Sequence, residues 1–239
     1  SISFNGLAFA EEMDIGAYYS PFTLRTFHVC PYGIGWGWYD QAPDGSWDRP
    51  FTSLKQALAV VGSSDTIIVH KGVYDEGRID IVDLHGTEDA RITIKGCDDP
   101  DCWYCQKYDS NSFDYAPAEP VSIDRPVFTG KQKYDYDDTT VSASSDLCMK
   151  FTDCSYITVE KLEIAGFTDC GVWIYGGEGM ELKKLKLHNF DNKANVNAGV
   201  MGVLANDAVN CLFKDLTIWD IGYTRRSEAD HGMYIGYAD

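Results

Sequence analysis

Basic residues and long apolar runs are both scarce in this chain. Lys and Arg number 20 among its 239 residues, against 37 Asp and Glu, which gives a formal net charge of -17. A nucleic-acid backbone is bound through clustered basic residues, so this balance argues against nucleic acid as a partner. An acidic polysaccharide is not excluded, because a local basic patch or a bound cation can reverse the sign of the field. No stretch is apolar for long enough to span a membrane, so no membrane insertion is expected.

Two processing signals are also missing. The sequence contains no Asn-x-Ser/Thr acceptor, so N-glycosylation by that route is not expected. It begins at Ser1 without a basic-then-apolar leader, and we expect that a signal peptide was removed or that the chain was trimmed. The even number of cysteines, together with the acidic and aromatic-rich composition, predicts a secreted, extracellular protein.

The chain has eight cysteines, three of which are close together. Cys97, Cys102 and Cys105 form this group, and the scattered ones are Cys30, Cys148, Cys154, Cys170 and Cys211. The even number favours disulfides in a secreted protein, and the sequence does not assign their connectivity. The close group also has the spacing of part of a zinc site, although a fourth ligand at normal spacing is missing. For the cysteines near the predicted strands, buried thiols are an equal alternative.

The last third of the chain repeats itself three times. Residues 157–164, 180–187 and 211–218 carry apolar side chains at matching places: Val159/Leu182/Phe213, Leu162/Leu185/Leu216 and Ile164/Leu187/Ile218, followed by Phe167/Phe190/Ile221. A second strand pattern then opens with Gly171, Gly199 and Gly232. Two short strands recurring roughly every two to three dozen residues, with no helix between, indicate a parallel β-solenoid. Stacking is required because one coil cannot bury its own apolar face.

The region before this repeat predicts a helix and then short strands. Residues 48–61 have one apolar face, with Thr52 or Ser53 as the N-cap. Alternating apolar and polar residues predict strands in four stretches that follow: 66–70, 73–74, 78–82 and 91–95.

These segments carry a resemblance to a known superfamily. The runs 49–57, 65–69, 72–74 and 86–96 resemble the start of the secreted right-handed parallel β-helix proteins, which include pectate, alginate and chondroitin lyases. The resemblance covers 48–96 and returns over 154–237. It implies an all-β, right-handed parallel β-helix with an N-terminal capping helix. The catalytic motifs of those lyases have no residue-by-residue match here, so the resemblance transfers no catalytic role.

The expected domain organisation has two parts. Residues 1–47 form an aromatic, Gly-rich segment, and 48–239 form the β-helix. An insertion rich in Cys, Asp and Tyr interrupts the β-helix at about 97–146, with a coil strand expected at 121–124 and 126–130. Clustered carboxylates at 135–138 suit Ca²⁺ as a possible cofactor, or they form a solvated loop.

The end of the sequence lies just past the third glycine-led strand, and no polar cap follows it. A complete solenoid needs capped ends. We therefore expect the chain to stop mid-solenoid, with the remaining coils supplied by the same polypeptide or by an end-to-end copy in a homo-oligomer.

The segment between the two strand patterns of each repeat becomes longer along the chain, and these segments predict the functional face. The gaps cover 168–170, 191–198 and 222–231, and insertions in consecutive repeats lie on one face. The catalytic candidates in these gaps are Lys193, Arg225, Arg226, Glu228, Asp230 and His231. The substrate-binding candidates are Asp191, Asn195 and Asn197, with Trp36 and Trp38 as a sugar-stacking platform that could equally pack on the solenoid.

Two cleavage chemistries fit these residue types. In a uronate lyase, Arg225 or Arg226 would neutralise the sugar carboxylate, and His231 or Lys193 would remove the proton at C5. In a glycoside hydrolase, two carboxylates among Asp191, Glu228 and Asp230 would act.

The same residues also have structural interpretations. His231 could simply orient its turn, and the two arginines could pair with Glu228 in a solvated loop. We thus predict a polysaccharide lyase or glycoside hydrolase acting on an extracellular polysaccharide. The alternatives are a non-catalytic fibre or adhesin subunit and a sugar-binding module without turnover.

Overall fold

The computed structural model describes residues 24–31, 42–106, 124–130, 147–192, 199–222 and 230–236. These residues form three parallel sheets and two short helices. Sheet A contains β1 (Thr26–Val29), β2 (Thr66–Val69), β5 (Ile92–Gly96), β8 (Ile157–Glu160), β11 (Glu181–Lys183) and β14 (Leu212–Lys214). Sheet B contains β3 (Val73–Tyr74), β6 (Val127–Thr129), β9 (Glu163–Ala165), β12 (Lys186–Phe190) and β15 (Thr217–Ile221). Sheet C contains β4 (Ile79–Val82), β7 (Met149–Thr152), β10 (Cys170–Tyr175), β13 (Met201–Asn206) and β16 (His231–Gly236).

From β2 onward the chain visits sheets A, B and C in strict rotation. Each strand pairs in parallel with the strand one coil away, which is the arrangement of a parallel β-helix. The all-β parallel solenoid predicted from the repeat is therefore confirmed. Among the described residues, no helix is long and apolar enough to cross a membrane.

The repeat predicted the strand register in sheets A and B. Leu182 is paired with both Val159 and Phe213, as the apolar pattern requires. Leu187 likewise lies between Ile164 and Ile218. These side chains point into the solenoid, and burying one such aliphatic side chain stabilises the fold by about 1.5–3 kcal/mol. Identical apolar positions thus become continuous columns through the core.

The glycine register predicted for sheet C is wrong at one position. The pairs Cys170↔Met201 and Val172↔Val203 place Gly202, not Gly199, beside Gly171. A Cβ atom at Gly202 would lie 2.5 Å from the carbonyl oxygen of Gly232 on the next coil. Close backbone approach therefore requires glycine at 202, whereas Gly199 precedes the strand.

The predicted helix is present but shorter than residues 48–61. Helix α1 spans Leu54–Leu58, and Ser53 caps it in a capping box with Gln56. Leu54 and Ala57 are buried in the core. Glu76 accepts hydrogen bonds from the first backbone N–H groups of α1, and burial raises the pKa of its carboxyl. That α1 closes the end of the solenoid stays a prediction.

Strand β1 is an element that the sequence pattern does not predict. It adds to the edge of sheet A through pairing with β2. Arg25, just before β1, donates to Asp65, just before β2, with Nη2 2.5 Å from Oδ2. Asp65 is 1% exposed and also accepts from Gly62 N at 2.8 Å. This buried carboxylate joins the starts of two neighbouring strands.

The expected disulfide framework is absent. All eight cysteines lie among the described residues, and none of them is in a disulfide bond. The thiols of Cys154 and Cys170 are buried and donate to the backbone carbonyls of Ile81 and Val172. Burial also raises the pKa of both thiols. These two are buried thiols, the alternative that the sequence left open.

Candidate functional site

The candidate site begins where each coil turns from sheet B into sheet C. Gly166, Asn189 and Asp220 occupy the same place in successive coils, with φ angles of 74°, 57° and 52°. Asn and Asp tolerate this left-handed conformation better than other side chains, because their short polar groups bond locally. The sequence therefore sets the same left-handed position three times: Gly166 directly follows β9, and Asn189 and Asp220 lie one residue before the ends of β12 and β15.

The chain also enters sheet C at matching points. Met201 N donates to Asp169 O at 2.8 Å, and His231 N donates to Val200 O at 3.0 Å. Residues 169, 200 and 230 thus form one column. The gaps predicted to carry the site leave and rejoin the solenoid along a single edge, between sheets B and C.

Three of the predicted site residues lie at this edge. Asp191 is fully buried directly after β12. Asp230 accepts a hydrogen bond from Val200 N at its Oδ1 atom, at 3.1 Å. A Cβ atom at Gly222 would lie 2.2 Å from Asp230 Oδ2, so this carboxylate packs directly on the turn that ends β15. His231 opens β16 half-buried, with its ring 5.5 Å from that of Tyr234.

The other predicted positions lie outside the described residues, and their roles stay predictions. They are Lys193, Asn195, Asn197, Arg225, Arg226, Glu228, Trp36 and Trp38, together with the carboxylates at 135–138 and residues 121–123 of the predicted strand at 121–124.

A polar pair that the sequence analysis missed lies on the outer face of sheet B. Leu187 and Ile164 point inward, so the alternation of a strand turns Glu163 and His188 outward. Both are nevertheless buried, at 1% and 5% exposure. His188 Nε2 lies 3.1 Å from Glu163 Oε1. Glu163 Oε2 is buried with no hydrogen-bond partner among the described residues.

The surroundings of His188 fix its ring. Its Nδ1 atom lies 3.0 Å from Oδ1 of Asn189, and its face stacks on Trp219 with 4.1 Å between ring centroids. Trp219 remains 39% exposed. The exposed indole of Trp219 thus stacks on the histidine that holds the buried carboxylate, and it offers a flat apolar surface on the same flank as a group that can transfer a proton.

Positive charge lies on the same flank. Lys186 precedes His188 by two residues and therefore shares its outward face, with its Nζ atom 3.3 Å from Asp124 Oδ1. Arg125 forms a second ion pair with Asp124 at 2.9 Å. Burial raises the pKa of Asp124, but these two cations outweigh it and hold that pKa below its usual range.

The sequence contains a signal for the Glu163–His188 pair, but that signal is ambiguous. His188 aligns with Trp219 and Ala165 in the repeat, at an outward position. A histidine and a glutamate at outward positions normally indicate a solvated face. Their burial depends on the rest of the fold and cannot be read from the repeat.

Comparison with known proteins agrees with the architecture. No protein-family model matches the chain, and no curated protein matches it in sequence. Among solved structures it superposes on pectate lyase Pel9A with a TM-score of 0.51 and 16% sequence identity. The chain has the fold of that lyase. The match covers 83% of this chain and 48% of the lyase, so the chain spans about half the length of the lyase. At this identity the likeness concerns the fold alone.

Two further solved structures match more loosely. A rhamnogalacturonan lyase matches with a TM-score of 0.43 and 12% identity, over 90% of this chain and 62% of that one. The GH136 lacto-N-biosidase from Eubacterium ramulus matches with a TM-score of 0.49 and 18% identity, over 86% and 32%. The parallel β-helix fold implied by the sequence resemblance is confirmed by the strand topology and by the superposition on pectate lyase Pel9A.

Proposed function

We propose that this chain belongs to an extracellular carbohydrate-active enzyme that cleaves a polysaccharide along the outer flank of sheet B. The observation that carries the proposal is the carboxylate of Glu163. One of its oxygens is held by His188, and the other is buried without a hydrogen-bond partner among the described residues. A buried oxygen of this kind is costly in a purely structural role; a substrate hydroxyl would donate to it, or, once protonated, it would donate to a glycosidic oxygen.

In this proposal Glu163 transfers the proton and His188 orients it. In its protonated form this carboxyl group can donate a proton to the glycosidic oxygen in hydrolysis, and in its ionised form it can remove the proton at C5 of a uronate in elimination. Trp219 supplies an exposed ring on which a sugar can stack. The solved structures that share the fold include a pectate lyase, which supports the polysaccharide as the substrate class.

The loops between sheets B and C supply the remaining groups in this proposal. Asp230 and His231 mark where the second loop rejoins the solenoid. Arg225 or Arg226 would neutralise a uronate carboxylate, and Lys193 or His231 would assist proton removal. For hydrolysis, Asp191, Glu228 or Asp230 would be the second carboxylate. Full activity after replacing Arg225, Arg226 and His231 together would contradict the lyase assignment.

A substrate screen tests the function and separates its two chemistries. Polygalacturonate, alginate, chondroitin and neutral polysaccharides are incubated with the purified protein, and reducing ends and ultraviolet absorbance are followed together. Elimination produces both signals, because the new end is an unsaturated uronate. Hydrolysis produces reducing ends alone. Binding without either signal would instead indicate a sugar-binding module.

A further inference from the structure

Away from the edge between sheets B and C, three strands of sheet A are each followed directly by a residue that can bind a metal. Cys30 directly follows β1, His70 follows β2 and Cys97 follows β5. The register pairs the last residues of β1 and β2 with each other, and those of β2 and β5 likewise. His70 and Cys97 are therefore neighbours on adjacent coils, although they are distant in the sequence.

Two more cysteines reach this point from the start of the insertion. Cys102 lies just before helix α2 (Trp103–Gln106), and Cys105 lies within it. The Nδ1 atom of His70 lies 3.2 Å from Cys102 Sγ and 3.8 Å from Cys105 Sγ. One ligand atom from each of His70, Cys97, Cys102 and Cys105 lies within 4.8 Å of all the others. All four residues are buried.

These distances match a tetrahedral metal site. With Zn–S bonds of about 2.3 Å, the sulfur atoms of a tetrahedron are about 3.8 Å apart. The donor set of three thiolates and one imidazole suits zinc and is wrong for Ca²⁺ or Mg²⁺, which take oxygen ligands. His70 is the fourth ligand that the spacing of the three cysteines does not reveal.

The second nitrogen of His70 is also held. His70 Nε2 lies 3.1 Å from Nδ1 of His28, the hydrogen bond by which metal-bound histidines are commonly oriented. Tyr104 covers His70 with 4.7 Å between ring centroids, and its hydroxyl donates to the carbonyl oxygen of Trp47. Trp47 packs edge-on to His70 at 5.6 Å. The cluster is thus enclosed by aromatic rings.

We propose that His70, Cys97, Cys102 and Cys105 bind one zinc ion in a closed, structural site. Four protein ligands leave no open position for a substrate, so the metal takes no part in polysaccharide cleavage. It links the ends of β2 and β5 to α2 and holds the start of the insertion against the outside of sheet A. The site is independent of the proposed function.

Metal analysis of the purified chain tests this proposal. Elemental mass spectrometry is expected to find one zinc per chain, and Co²⁺ exchanged into the site is expected to give the visible bands of tetrahedral thiolate coordination. Chelation should lower the melting temperature by roughly 5 °C or more, and added Zn²⁺ should restore it. Iron in place of zinc, or no bound metal, would overturn the proposal.

Matched variants identify the ligands. Cys102→Ser and His70→Ala are expected to lose stoichiometric zinc. Cys30→Ala is the control, because Cys30 packs in the same buried cluster but is not among the four ligands. If Cys102→Ser were to unfold, two other results would still show whether the site binds zinc. They are the zinc content of Cys30→Ala and the protection of the thiols in the unmodified chain. Zinc should protect Cys97, Cys102 and Cys105 from alkylation until it is chelated. A mass deficit of two hydrogens, mapped to a disulfide among these three, would overturn the proposal.

Discussion

Glu163 and His188 contact each other across neighbouring coils, with 3.1 Å between Glu163 Oε1 and His188 Nε2. Both side chains are buried on the outer face of sheet B, a face that would ordinarily be solvated. The contact combines two roles. It stabilises the stacking of β9 on β12, and it fixes the carboxylate that we propose to transfer a proton.

The two members of this pair should be energetically coupled. His188→Leu is expected to lower the free energy of unfolding by about 3–5 kcal/mol, because it leaves the buried Glu163 unpaired. The double variant Glu163→Leu/His188→Leu should lose less than the sum of the single variants. Urea unfolding of the four proteins gives the coupling free energy. Additive losses would mean that the two side chains do not interact.

The glycine column in sheet C offers a matched steric test. A methyl group at Gly202 would lie 2.5 Å from the Gly232 carbonyl oxygen, whereas one at Gly232 meets nothing closer than 3.6 Å. Gly202→Ala should therefore cost roughly 1–3 kcal/mol of stability, as overpacking does. Gly232→Ala should stay close to the parent in the same thermal unfolding experiment. Equal stability of the two variants would contradict the register of β13 and β16.

The buried carboxylate of Asp65 should matter more than an exposed one. It accepts hydrogen bonds from Arg25 and Gly62 at 1% exposure, while Asp80 pairs with Arg78 at 49% exposure. Asp65→Ala is expected to destabilise by roughly 1–3 kcal/mol, because the hydrogen bonds that Arg25 and the Gly62 N–H donate to a charged acceptor are lost, while the half-exposed Arg25 stays solvated. Asp80→Ala should change the unfolding free energy by about 0.5 kcal/mol or less. Comparable losses would show that Asp65 does not anchor β1.

Thiol reactivity should follow burial. Cys170 is 1% exposed and burial raises the pKa of its thiol, so the unreactive protonated form persists at pH 8. Cys211 is half-buried, and burial raises its pKa as well. Timed alkylation with peptide mapping should label Cys211 before Cys170, with rates that keep rising as pH increases. Faster labelling of Cys170 would contradict its place in the core.

The sequence predicted the solenoid because its core positions recur coil after coil. Leu182 and Leu187 have the neighbours that the repeat assigns to them, since identical apolar residues must stack to be buried. The error at Gly199 arose because it stands close in sequence to Gly202, and only strand register shows which of them meets the next backbone. Strand β1 was missed because its partner, β2, lies far along the chain.

The sites were harder to predict because their residues come from different coils. His70 reaches Cys102 only after strands β2 and β5 align, so no local spacing contains the full ligand set. Glu163 and His188 are likewise brought together by coil stacking. Sequence periodicity describes what a coil buries within the solenoid. It carries much less information on what covers the outside.

The most direct test of the proposed function is the rate of reducing-end release by Glu163→Gln, compared with that of Glu181→Gln, which changes a partly exposed carboxylate on sheet A. Each rate is measured on the polysaccharide that the unmodified protein cleaves, with unfolding midpoints checked in parallel. We expect Glu163→Gln to lose about 100-fold or more of the turnover rate with its fold intact, and Glu181→Gln to keep it. Undiminished cleavage by a folded Glu163→Gln would contradict the assignment of this flank as the active site.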